Sequence, residues 1–198
     1  MQEVTRTTTA LLEGLVDPAN EAVWSTFDRR YRPLLFGLAR RLGVGEQDAA
    51  DIAQDAIAQF AAEYRLGHYD RSRGRLRTWL LAFVRYRVVN VYRQNARRPA
   101  AIDDDRLAAV PDDASLDDAW EQERRLLLLR EALDELRTAT RTDPRTIRAF
   151  ELLYIHGLTP AATATELGFT VDEVYVARSR VASRIRAIVQ GLEARWDD

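Results

Sequence analysis

Residues 99–115, PAAIDDDRLAAVPDDAS, limit the fold more than any other stretch of this chain. The segment has two prolines, five aspartates and no apolar periodicity. It offers no face to a core, so it reads as an acidic flexible linker. The residues on either side must then bury their own apolar side chains. That gives two domains, 1–98 and 116–198, in a chain of 198 residues with a 46% hydrophobic share.

Both domains read as helical. Alanine, leucine and arginine dominate, while glycine and proline number only 9 and 6. Asp17-Pro18 predicts a helix start, with apolar residues at helical spacing through Leu42 and a break at Pro33. The residues before Asp17 are expected to be disordered. After the turn at 43–45, helices are predicted over about 46–64 and 75–96, separated by the loop RLGHYDRSRGR. Beyond the linker, helices are expected from Leu116 to Thr140, from Asp143-Pro144 to a glycine stop at Gly157, from Thr159-Pro160 to Leu167, and from Thr170 onward. No strand pattern occurs. The fold class is all-α: an N-terminal helical bundle and a C-terminal helix-turn-helix domain.

Charge is unevenly placed. From Arg65 to Arg98 there are ten arginines and one acid, and from Pro99 to Glu123 nine acids and one arginine. A basic block followed by an acidic connector points to nucleic acid as a partner. All 29 basic residues are arginine. A GC-rich genome accounts for that bias more simply than selection for phosphate binding.

The stretch TELGFTVDEVYVARSRVASRIR carries the most specific local signal. Ala164 lies four residues before Gly168, where two helices must approach closely, and Thr170 with Glu173 forms a capping box. This is helix-turn-helix spacing, whose second helix enters the major groove. At 100° per residue, Val174, Ala177, Val181, Ile185, Ile188 and Leu192 form the buried stripe. Val176, Ser179, Arg180 and Ser183 fall opposite, as a reading face for base edges and phosphates. Arg178 is expected beside the buried stripe, with Arg184 and Arg186 flanking the groove. The simpler reading is an αα-hairpin with a charged exterior.

Two helices of the first domain carry further patterns. Ala49, Ala53, Ala56, Ile57 and Phe60 make an apolar face, while Asp48, Asp51, Asp55 and Gln59 line the other side with Gln54 at its edge. Aligned carboxylates repel one another, so they suit a solvated face or a dock for a basic partner. In the next helix Leu76, Leu80, Phe83, Val84 and Val91 are the expected core, with Arg87 interrupting. Arg75, Trp79, Tyr86, Asn90 and Arg93 share another face. Arginines interleaved with aromatics suit a strand with unstacked bases, although Trp79 is expected to be partly core.

With these segments in view, the chain resembles the extracytoplasmic-function (ECF) type of bacterial RNA polymerase sigma factor. DAADIAQDAI is similar to the family's clamp-docking segment. YDRSRGRLRTWLLAFVRYRVVNVYRQNARR is similar to its segment for recognising and melting the minus-ten element. LTPAATATELGFTVDEVYVARSRVASRIR resembles its minus-thirty-five-reading domain. Ala50 stands where the family has glutamate, Tyr86 and Asn90 where it has asparagine and aspartate, and Tyr175 and Ala177 where lysine and arginine are common.

The resemblance implies a binding protein rather than an enzyme. Asp48, Asp51, Gln54 and Asp55 would dock on core RNA polymerase. His68, Arg73, Arg75, Trp79, Tyr86, Asn90, Arg93 and Arg97 would bind and melt promoter DNA, and Val176, Ser179, Arg180, Ser183 and Arg184 would read the major groove. An anti-sigma factor is a further partner that the family admits. No cofactor, metal or small-molecule substrate is expected.

Other classes fit less well. There is no cysteine, only two histidines and no phosphate-cradling glycine loop, which disfavours catalysis. No run approaches a membrane span, and the N-terminus lacks a secretory pattern, so no membrane partner and a cytoplasmic address are expected. A stand-alone helix-turn-helix regulator would leave the carboxylate and arginine-aromatic faces without a purpose. A purely structural adaptor would not need the basic block.

Overall fold

The computed structural model describes residues 8–17, 19–70, 74–96, 112–139, 141–194 and 196. Every regular element among them is an α-helix. The chain forms two compact units, one ending at Leu127 and the other running from Leu128 to Trp196.

The first unit opens with α1 (Thr8–Leu15), where disorder was expected. Leu11, Leu12 and Leu15 are all buried, and the Tyr64 hydroxyl donates to the Leu12 carbonyl. An eight-residue helix is marginal alone, so this packing is what holds it. Helix α2 (Glu21–Arg41) starts later than Asp17-Pro18 suggests. Its cap is Asn20, whose side chain accepts from the Val23 amide, while Asp17 closes the preceding turn by accepting from Ala19 at 2.9 Å. Pro33 lies inside α2 without ending it. An interior proline costs about 3 kcal/mol. Each fully buried leucine contributes about 1.5–3 kcal/mol, and Leu34, Leu35 and Leu38 beyond it are all fully buried.

Helix α3 (Glu46–Arg65) buries the five expected apolar residues and Ile52 as well. Helix α4 spans Leu76–Ala96. Its core residues Leu76, Leu80 and Val84 are buried as expected. Phe83 and Val91 are only half-buried, and Leu81 and Val88 are buried in their place. The buried arc is shifted because the helix that begins at Asp113 covers that flank: Leu81 shares a groove with Leu116. Phe60 anchors the interior, stacked on Phe27 at 5.1 Å and edge-on to Trp79 at 5.7 Å.

Helix α5 (Asp113–Ala139) begins inside the segment read as linker. Asp112 caps it, accepting from the Ser115 amide at 2.8 Å. Hydrogen bonds from the Ser115 side chain and amide hold the Asp112 carboxyl below its ordinary pKa. The rest of the expected linker, 99–111, lies outside the described residues. By compactness the second unit begins at Leu128, inside α5, whereas the sequence reading starts its second domain at 116. The reason is local: Leu116, Ala119 and Trp120 are buried in the first unit.

The second unit follows the sequence closely. Helix α6 (Pro144–Tyr154) is capped by Asp143, and α7 (Pro160–Leu167) by Thr159. Helix α8 (Val171–Glu193) starts with the complete Thr170–Glu173 capping box. Its core joins Leu128, Ala132, Leu133 and Leu136 to Ile147, Phe150, Val181, Ile185 and Leu192. Glu151 is buried there as well, against Arg137 and Arg148, and the hydrogen bond that Arg137 donates to Glu151 raises the Arg137 pKa. Among the described residues, no helix is long and apolar enough to cross a membrane.

Candidate nucleic-acid interface

The turn between α7 and α8 is built as a helix-turn-helix requires. Gly168 ends α7 at φ 63°, a conformation a Cβ disfavours. The Phe169 amide returns to the Ala164 carbonyl at 2.9 Å, which satisfies an end of the helix. Ala164 is buried, as its position four residues before the glycine implies. Sequence reasoning missed Arg145. From the first turn of α6 it donates to the Leu167 carbonyl and lies 4.6 Å over the Phe169 ring. It thereby neutralises the negative end of α7 and pins the turn. Its partners lie 22 or more residues away, so no local pattern announces it.

On α8, Val174, Ala177, Val181, Ile185 and Leu192 are buried and Ile188 is half-buried. Val176, Ser179, Arg180, Ser183 and Arg184 are all exposed. Arg184 donates to the Thr142 hydroxyl, so it is held toward its own unit. Arg178, expected beside the buried stripe, is exposed, and its guanidinium lies 5.2 Å from the Tyr175 ring centre. Tyr175 and Val171 are exposed apolar residues beside Val176, which the reading did not single out.

On α3, Asp48, Asp51 and Gln54 face solvent. Asp55 differs: it is half-buried and ion-paired with Arg87 of α4. The two helices pack together, and the pair removes the interruption that Arg87 makes in the apolar pattern. The expected docking row thus has three exposed members, with the fourth shared with α4.

The α4 face divides similarly. Arg75, Tyr86 and Arg93 are exposed, and Asn90 is half-buried. Trp79 is half-buried, edge-on to Phe60, Tyr69 and Phe83. Its ring is committed to the aromatic cluster, in keeping with its partly core character. His68 is exposed with its Nδ1 2.6 Å from Glu63 Oε2. Arg73 and Arg97 lie outside the described residues. The reading also passed over Arg77 and Arg85. Arg77 pairs with Asp117 at 2.7 Å and Glu121 at 2.6 Å, and Arg85 with Asp113 at 2.6 Å. Their partners lie in sequence beyond the linker, so α4 alone gives no sign of them.

An exposed carboxylate row and an arginine-aromatic face thus stand on adjacent helices of one unit, while the second unit presents a helix-turn-helix. No curated protein matches the chain. Residues 27–98, which take in α2 from Phe27 onward and all of α3 and α4, match the family Sigma-70 region 2. That span contains both faces of the first unit, so the helices that carry them form a Sigma-70 region 2 domain.

Proposed function

We propose that this protein is an ECF-type sigma factor, which binds core RNA polymerase and directs it to promoters. The carrying observation is the match of residues 27–98 to Sigma-70 region 2, on the helices that present both faces of the first unit. In this reading Asp48, Asp51 and Gln54 of α3 dock on the polymerase. Tyr86, Asn90 and Arg93 of α4, with His68 and Arg75 before it, take the unstacked strand at the minus-ten element. Arg73 and Arg97, outside the described residues, are assigned the same role by sequence.

Capture of extruded bases is feasible there because unstacking costs only a few kcal/mol. Stacking on an aromatic ring returns about 1–3 kcal/mol per base. Tyr86, 63% exposed, is available for it. The exposed α8 face, with Val176, Ser179, Arg180, Ser183 and Arg184, reads the minus-thirty-five element. Binding through two weak modules held on one enzyme gains from effective concentration, so neither module needs high affinity alone.

Reconstitution with core polymerase and a promoter library tests this. Transcripts should start from a defined promoter class only when the protein is present. Asp48→Arg with Asp51→Arg should abolish core binding. The stand-alone regulator, favoured by the complete helix-turn-helix, predicts instead a shift of promoter duplex without polymerase. That result, with no binding to core enzyme, overturns the sigma-factor reading.

A further inference from the structure

The region 2 match ends at residue 98, yet the first unit continues through Leu127. The added piece is the first half of α5. It docks through Leu116, Ala119 and Trp120, which are 3%, 6% and 3% exposed. It also docks through a row of acids. Asp113, Asp117 and Glu121 are four residues apart, which places them on one helix face about 6 Å apart along the axis. Each meets an α4 arginine: Asp113 takes Arg85, and Asp117 and Glu121 take Arg77. Glu123 extends the contact to Arg41 at the end of α2. A Cβ on Gly37 would come within 2.3 Å of the Glu123 carboxylate, so that glycine makes room for the approach.

A line of evenly spaced anions facing arginines is the charge pattern of a nucleic-acid backbone. The arginine fork accepts carboxylate and phosphate in the same geometry. The acids also border the proposed nucleic-acid face: one groove has Arg85, Tyr86 and Arg93 on its α4 side and Asp113 and Asp117 on its α5 side. The grip is incomplete. Asp113 is 89% exposed, and the buried Nε of Arg77 has no acceptor among the described residues. An exposed pair and an unmet donor make a contact that a stronger anion can displace.

We propose that the first half of α5 is an internal competitor for nucleic acid. Its acidic row occupies Arg77 and Arg85 in the free chain, and a strand bound on the α4 face displaces it. Free protein then binds DNA weakly, and the two arginines become phosphate ligands only when the row is moved aside. This inference rests on the assignment of the α4 face to nucleic acid.

The test is binding of the full chain to a fluorescent single-stranded oligonucleotide across a salt series. Asp113→Asn/Asp117→Asn/Glu121→Gln removes the row. Glu21→Gln/Asp118→Asn/Glu135→Gln makes the same change in net charge at exposed acids elsewhere. The first variant should bind about tenfold tighter than the second, with a log–log salt slope steeper by about 1.4, the value for two added phosphate contacts on a single strand. Adding Arg77→Ala and Arg85→Ala should erase the gain. Equal affinity of the two triple variants overturns the proposal, as does a gain that survives loss of both arginines. Should the first variant lose helix content, Asp113→Asn alone, at an exposed pair, should still give about a threefold gain, and no gain there overturns it too. If neither triple variant binds the oligonucleotide, the competitor idea falls. The sigma-factor reading is judged separately, by transcription with core enzyme.

Discussion

Helices α4 and α8 both bear arginines and both bury apolar residues, yet they use their arginines in opposite ways. On α4, Arg77, Arg85 and Arg87 are engaged by carboxylates of their own unit. On α8, no arginine forms an ion pair with an acid among the described residues; Arg178 rests on Tyr175 and Arg184 on Thr142. Basic residues on a helix therefore do not by themselves mark a nucleic-acid surface. What matters is whether acids of the same fold already neutralise them. Helix α8 presents its charge directly, while α4 presents Tyr86, Asn90 and Arg93 beside arginines held by its neighbours.

The contrast extends to how the two units are held, and the largest expected effect tests that. Phe60 is fully buried against Phe27, Tyr64, Tyr69 and Trp79. Phe60→Ala should destabilise the protein by about 3–5 kcal/mol in chemical denaturation. Amide protection should fall in α2, α3 and α4 and stay largely intact in α7 and α8. Equal loss in both units would mean that they unfold as one.

Gly168→Ala should have the next largest effect. The added Cβ meets nothing closer than Arg145 Nη2 at 3.9 Å, so backbone conformation at φ 63° is the whole penalty. About 1–2 kcal/mol is expected for a non-glycine residue there. Thermal unfolding should show it, with duplex binding by α8 weakened in parallel. Unchanged stability would mean that Arg145 and Phe169, not the glycine, set the turn.

The smallest effect is a pH dependence. Hydrogen bonds from the Thr170 backbone and side chain lower the Glu173 pKa. Because the folded value lies below the unfolded one, this contribution is present above the ordinary glutamate pKa. It is lost as pH falls through the lowered value. NMR titration should place Glu173 below an ordinary glutamate, and Thr170→Ala should return it toward normal. A Glu173 that titrates normally in the wild type would remove the cap from the account of how α8 starts.

The helix-turn-helix was legible residue by residue. Its caps, glycine and buried stripe depend on neighbours within about one or two turns, and such spacings are visible in a linear string. The α3 faces were legible for the same reason. Helix α1 escaped because three leucines in eight residues predict a helix only where a partner surface exists. Pro33 was misleading because a local penalty was outweighed by burial on both sides of it. Among the site residues, Asp48, Asp51, Gln54 and the α8 face lie where periodicity places them. Asp55, Trp79 and Arg184 carry contacts within the fold that periodicity does not reveal.

The sequence alone determined an all-helical chain, most of its helix limits and the turn before α8, since backbone propensity and capping are short-range effects. Only the tertiary structure decided which arginines are neutralised. Arg77 finds Asp117 across 40 positions, and Arg41 finds Glu123 across 82. Ion pairs of that kind follow from which helix surfaces meet, and hydrophobic burial of residues such as Leu116 and Trp120 makes that choice before any charge is matched.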